Sequence, residues 1–242
     1  MALAIQLDGV GVAGVGDFGE AVRDRFVRHL GAAPVTVEEL TAAELTAEKL
    51  TAEELTAEEL TAEEPTAAGP LPGAPEVLVV ALWRPLEELC ERVDEAAFAA
   101  GRPWLPVVFE HPWVVVGPWL APPDGPCHRC YLDRRAQHRQ HSDTVQALTE
   151  AYAADPELGV SGHLPHHVRL AVGLAQQALR LREPGLVLSA NTVGSRISAH
   201  RTVGCHGCPR CGQQDRLGVD GAVARVARSL RTPALARTGS AR

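Results

Sequence analysis

The sequence predicts an α/β protein whose sheet is mostly parallel and covered by helices on both faces. Three observations point there. Apolar runs of strand length alternate with helix-length amphipathic stretches along residues 5–110. A glycine-rich turn joins the first run to the first helix. Hydrophobic residues make up 45% of the 242-residue chain and charged residues 22%, enough apolar material for a core of that kind.

The first unit reads strand, turn, helix. Ile5–Ala13 is a largely apolar run, Gly14-Val15-Gly16-Asp17-Phe18-Gly19 follows, and the helix occupies 20–30. Helical spacing sets Ala21, Val22, Phe26 and Leu30 on one face. G-x-G-x-x-G between a strand and a helix is the opening of a Rossmann-like fold. There the first glycines allow a tight turn and close backbone approach, and the third lets helix and strand pack. A second strand is expected over 34–38. Glu38 falls about 20 residues beyond the glycines, where a ribose-binding acid stands in dinucleotide binders. Gly14, Gly16, Gly19 and Glu38 are therefore the candidate nucleotide-binding residues. The same glycines serve chain packing with no ligand bound, and the sequence leaves both readings open.

Residues 40–64 are five tandem pentapeptides, LTAAE, LTAEK and three copies of LTAEE. Leu40, Leu45, Leu50, Leu55 and Leu60 recur every five residues, a period that winds them around a helix and forms no apolar stripe. The segment 40–75, with its Pro/Gly/Ala linker, reads as an acidic insert between two strands, with a docking arm for a partner as the alternative. It also distorts the charge. Residues 38–64 carry a net −9, so the remainder of the chain carries +2 of the overall −7. Lys49, inside the insert, is the only lysine, so mechanisms built on a phosphate-loop or Schiff-base lysine of the folded body are excluded.

From 76 to 212 the domain resumes. Strands are expected at Val77–Trp83, Trp104–Glu110 and Trp113–Gly117, with a helix over 85–100. Helices over 131–154 and 165–182 follow, then strands at 186–190 and 196–203. Residues 213–242 form a basic, arginine-rich tail without the aromatic surface that nucleic-acid binding uses. The chain has no run long enough to span a membrane and no signal-like start, so a cytoplasmic protein is expected.

Cys127-His128-Arg129-Cys130 and Cys208-Pro209-Arg210-Cys211 are two C-x-x-C knuckles. Each aims two sulfurs at one point, and two of them supply the tetrahedral sulfur set of a structural zinc with no open coordination position. The 77 residues between them are too many for a single finger, so the metal would tie distant parts of the fold together. Cys205 also makes a C-x-x-C with Cys208 and is a spare or substitute ligand. Reduced, metal-free thiols are the other reading. Cys90 lies in an amphipathic helix and reads as core. His138, His141, His166 and His167 lack an acid completing a zinc-protease pattern and read as surface or capping residues. Ser189 and Ser195 have no base beside them, and no catalytic residue is assigned.

Taken in order, residues 12–22 with their glycines, Val116-Gly117-Pro118, Gly125-Pro126-Cys127-His128-Arg129-Cys130 with Arg134, Arg135, Gln137 and His138 behind them, and Cys208-Pro209-Arg210-Cys211-Gly212 resemble a known family. It is the ThiF-type, ubiquitin-activating-enzyme-like fold, and more narrowly the cyclodehydratase partner proteins of azole-forming (thiazole/oxazole-modified microcin) pathways. The resemblance implies a ThiF-type sheet held by zinc, a YcaO-type cyclodehydratase that uses ATP as partner, and a ribosomal precursor peptide as the other partner. A homodimer is left open. Two departures stand out. The family's winged-helix leader-recognition module would precede the sheet, and here the first strand starts at residue 5, so leader binding by this chain alone is not assigned. The arginine–lysine pair and the free nucleophilic cysteine of adenylating relatives are not matched, so no adenylation is expected. A nucleotide-dependent oxidoreductase and an ATP-dependent activating enzyme are the alternatives.

Overall fold

The computed structural model describes residues 7, 9–36, 75–138, 142–155, 157–194 and 196–211. Seven strands form one sheet in the order β2-β1-β3-β4-β5-β6-β7. They are β1 (Val10–Val15), β2 (Ala33–Pro34), β3 (Val77–Leu82), β4 (Trp104–Glu110), β5 (Trp113–Val116), β6 (Leu186–Asn191) and β7 (Ile197–Arg201). Among the described residues the helices are α1 (Gly16–Leu30), α2 (Glu87–Ala99), α3 (His128–His138), α4 (Ser142–Ala154) and α5 (Pro165–Leu181).

The sheet is mixed. Strands β2, β1, β3 and β4 run parallel, and β5, β6 and β7 extend them antiparallel. All six residues of β3 are buried, as a central strand covered on both faces requires. Its alternate residues divide between two cores. Val77, Val79 and Ala81 pack with Phe18, Val22 and Phe26 of α1 and Ala171, Val172 and Ala175 of α5. Leu78, Val80 and Leu82 pack with Leu89, Cys90, Val93 and Ala97 of α2. A smaller cluster, Val115, Val187 and Tyr131, seats α3 against the antiparallel strands.

Helix α1 buries Phe18, Val22, Phe26 and Leu30, every fourth residue, and ends where Gly31 takes φ 71°. Ala21 is half-buried at the edge of that core. The helix begins at Gly16, four residues before the expected start, so Gly16 and Gly19 lie inside it. Strand β2 is shorter than expected and covers only Ala33–Pro34. Glu38, the repeat and the basic tail lie outside the described residues, as do His141 and Ser195. The single helix expected over 131–154 is two, α3 starting inside the first knuckle and α4 beyond it. Among the described residues no helix is long and apolar enough to cross a membrane.

Candidate metal centre and adjoining clefts

Cys127, Cys130, Cys208 and Cys211 converge, with all four sulfurs within 4.8 Å of one another. Cys127 stands at the entry to α3 and Cys130 in its first turn, while Cys208 and Cys211 follow β7 in a non-helical segment. The Sγ separations are 3.7 Å for Cys127–Cys208, 3.2 Å for Cys130–Cys211 and 3.8 Å for Cys127–Cys211. Four sulfurs about 2.3 Å from a tetrahedral zinc stand about 3.8 Å apart, so the set fits such an ion with small adjustments. All six cysteines are free. The four sulfurs leave no position for water, so the site suits holding the fold and offers no hydrolytic centre.

The surroundings support thiolates unevenly. Burial pushes the Cys127 thiol up to about 12 and also raises Cys130 and Cys211. Burial acts in the same direction on Cys208, but the backbone N–H groups of Cys211 and Arg210 together with the Cys130 and Cys211 thiols outweigh it and bring that thiol down to about 6. Cys205 stands outside the set of four. Its N–H donates to Cys130 Sγ at 3.2 Å, and its own sulfur faces the Cys130 carbonyl at 3.8 Å. Arg134 of α3 donates to the carbonyls of Val203 and Gly204, holding the approach to the second knuckle.

Asp94 is the residue that sequence reasoning missed. Its carboxylate, buried on α2, accepts hydrogen bonds from Trp104 Nε1 at 2.9 Å, the His128 N–H at 3.1 Å and Arg210 Nη1 at 2.7 Å. The available signal was its place on the apolar stripe, four residues after Cys90 and three before Ala97.

Cys90 is core. Burial, with Asp94 next, pushes its thiol up to about 12. Because the thiolate is the nucleophile, iodoacetamide at pH 8 is expected to leave Cys90 unmodified in the folded protein and to label it only after denaturation. Peptide mass mapping before and after guanidinium treatment checks this.

Two clefts open at the carboxyl ends of the parallel strands, where open α/β sheets place their ligands. The first, about 820 Å³, lies beside Gly14 and Gly16 and reaches Val35 and Thr36. This is the crevice between β1 and β3, where the strand order reverses. Its glycines are engaged in packing. A Cβ on Gly16, at φ 69°, would overlap the Trp83 ring, and one on Gly19 would overlap the Ala81 carbonyl. Gly14 in turn lies directly against Gly19.

The second cleft, about 690 Å³, is floored by Val108, Phe109 and Trp113 and walled by Tyr131 and Leu132 of α3 and Val145, Leu148 and Tyr152 of α4. Arg84 and Tyr152 border both clefts. The Arg84 guanidinium lies over the Tyr152 ring at 4.5 Å and donates to the Tyr152 carbonyl at 3.3 Å.

Inside the second cleft, Arg135 makes a bidentate pair with Glu110 at 2.5 and 2.7 Å and touches Tyr131 Oη at 3.2 Å. Glu110 outweighs the burial that opposes the charge and holds the guanidinium above its ordinary range. The side chains are 30% and 18% exposed, so solvent screens the pair in part. Glu110→Gln is expected to cost about 1–2 kcal/mol in urea unfolding, below the roughly 3–5 kcal/mol of a fully buried pair.

The remaining candidates do not assemble into a site. His138 is exposed, and His167 Nδ1 accepts the Leu164 N–H at 3.2 Å as an α5 cap. Ser189 pairs across strands with Ser198 at 2.8 Å. Among the described residues the cysteines are the only cluster suited to a metal ion.

The fold and site together define an α/β protein with a mixed seven-stranded sheet, helices on both faces and a four-cysteine centre able to hold a metal. Among solved structures it is similar to a heterocyclase in complex with substrate and cofactor (TM-score 0.53, 16% identity). It is also similar to the heterocyclase TruD (0.52, 16%) and to the E. coli microcin synthetase McbBCD complex (0.52, 10%). The matches cover 88%, 91% and 86% of this chain, and 26%, 30% and 70% of those chains. This chain thus spans under a third of the two heterocyclases, and at these identities the likeness is one of fold. No protein-family model matches the chain. No curated protein matches it either.

Proposed function

We propose that this chain is the partner or scaffold subunit of an azoline-forming cyclodehydratase acting on a ribosomally made precursor peptide. In this reading an ATP-using YcaO-type enzyme supplies the chemistry. A Cys, Ser or Thr side chain adds to the preceding amide carbon. The amide oxygen, phosphorylated by ATP, departs as phosphate, and the ring forms with net loss of one water. This chain presents the peptide and activates the partner, zinc in the four-cysteine centre holds its fold, and it carries no catalytic residue of its own.

The observation that supports the reading most is the likeness over 86–91% of the chain to heterocyclase and microcin synthetase structures. The aromatic-walled cleft at the carboxyl ends of β3 and β4 adds a surface suited to an extended peptide. The glycines are read here as packing residues, since added Cβ atoms would overlap the Trp83 ring at Gly16 and the Ala81 carbonyl at Gly19.

The test combines precursor peptide, YcaO-type enzyme and ATP with and without this chain, counting lost waters by mass spectrometry. Ring formation should accelerate strongly when the chain is present, and equal rates would overturn the proposal. Pyrophosphate exchange by the isolated chain would favour an activating enzyme instead.

A further inference from the structure

Each Cys-x-x-Cys turn sets its own two sulfurs, but nothing local sets one turn against the other. They lie 81 residues apart in sequence, one at the head of α3 and the other beyond β7. Asp94 bridges that gap. Its side chain is 4% exposed, and its Oδ2 accepts from an inner residue of each turn, the His128 N–H of the first and the Arg210 guanidinium of the second. Its Oδ1 accepts from Trp104 Nε1, which anchors the carboxylate to β4. Arg210 is fixed further by Glu95 at 3.2 Å and by the Phe98 ring at 5.6 Å, both on α2.

We propose that Asp94 is the positioning residue of the cysteine centre, holding the two knuckles at the separation from which four sulfurs close on one metal ion. Helix α2 is then a template against which both turns are registered. The same bond holds the first turn of α3, the helix that carries Tyr131, Leu132 and Arg135 into the second cleft. The inference rests on the metal-binding reading of the four cysteines and is independent of the peptide-modifying role.

The test uses the full chain, stripped of metal and reloaded with Zn²⁺ against a chromogenic chelator, and in parallel with Co²⁺ watched by visible absorption. Asp94→Asn is expected to weaken metal binding by about 10–100-fold, the usual cost of losing an outer-shell partner. Arg210→Gln keeps the Trp104 and His128 bonds and is expected to weaken it about tenfold, within the same range. The double variant should lose less than the product of the two single losses, because the Asp94–Arg210 contact is shared between them. Cobalt absorption should lose intensity in both single variants as the second knuckle leaves tetrahedral geometry.

Val22→Ala, a core change remote from the centre, should lower stability while leaving metal affinity and the cobalt spectrum unchanged. If Asp94→Asn does not fold, Arg210→Gln alone decides. Folded variants with parental affinity and spectrum would overturn the proposal. A parent chain that takes up neither ion would overturn it together with the metal assignment, while the azoline assay reports separately on the peptide-modifying role.

Discussion

With zinc in the cysteine centre as proposed, its removal by a strong chelator, or replacement of Cys130 by serine, is expected to cost on the order of 4 kcal/mol of unfolding free energy. That is the linkage contribution of an ion present at about a thousand times its dissociation constant. The loss bears on folding because of what the centre joins. Strand β7 has a hydrogen-bonded neighbour on one side only, and the ten residues after it contain no helix or strand. The cysteine clasp ties the far end of that segment to α3, beyond the Arg134 bonds to Val203 and Gly204. Cys130 is fully buried, and its sulfur faces Cys211 while also receiving the Cys205 N–H. A serine there is too short and too hard a ligand for the ion. Differential scanning calorimetry with elemental analysis of the same samples checks the prediction. An unchanged transition in demonstrably metal-free protein would show that the sheet stands without the clasp.

Gly19→Ala is expected to destabilise the protein by about 3 kcal/mol, the upper end of overpacking costs. The added methyl would overlap the Ala81 carbonyl, a backbone atom of the central strand that cannot turn aside as a side chain can. Helix α1 would have to lift from the sheet, loosening Phe18 and Val22, both of which are buried in the main core. Urea unfolding in nucleotide-free buffer measures the effect. A glycine kept for a ligand alone would leave unliganded stability within a few tenths of a kcal/mol, as ordinary surface substitutions do.

The sequence made the parallel half of the sheet readable because a buried central strand is a continuous apolar run of fixed length. Trp104–Glu110 and Val77–Leu82 stand where the pattern places them. Strand direction was hidden, since β5 and most of β6 are buried apolar runs like β3, and neither apolar content nor period records antiparallel pairing. The break between α3 and α4 was hidden too, because Arg134–His141 contains neither glycine nor proline to mark it.

The four ligand candidates were legible from spacing alone, as two-residue gaps are a local geometric property. Asp94 was not. One acid among Glu91, Asp94 and Glu95 on a helix reads as solvated surface until the chain returns 116 residues later with Arg210. Val145 and Tyr152, which line the second cleft, were hidden for a similar reason: among the described side chains of α4 none is fully buried, so no apolar stripe marks its covered face.

The two ends of the excursion between β2 and β3 meet at one point. Val35 and Pro75 both press against Gly11, and the backbone bonds Val35 N–H to Val12 O and Val77 N–H to Gly9 O pin each side. Whatever connects them starts and finishes at the same spot on β1, so its length is decoupled from strand register. Closing a connection twice as long between such fixed ends costs only about 0.6 kcal/mol. A variant lacking one LTAEE unit is therefore expected to melt within a degree or so of the parent, which calorimetry checks.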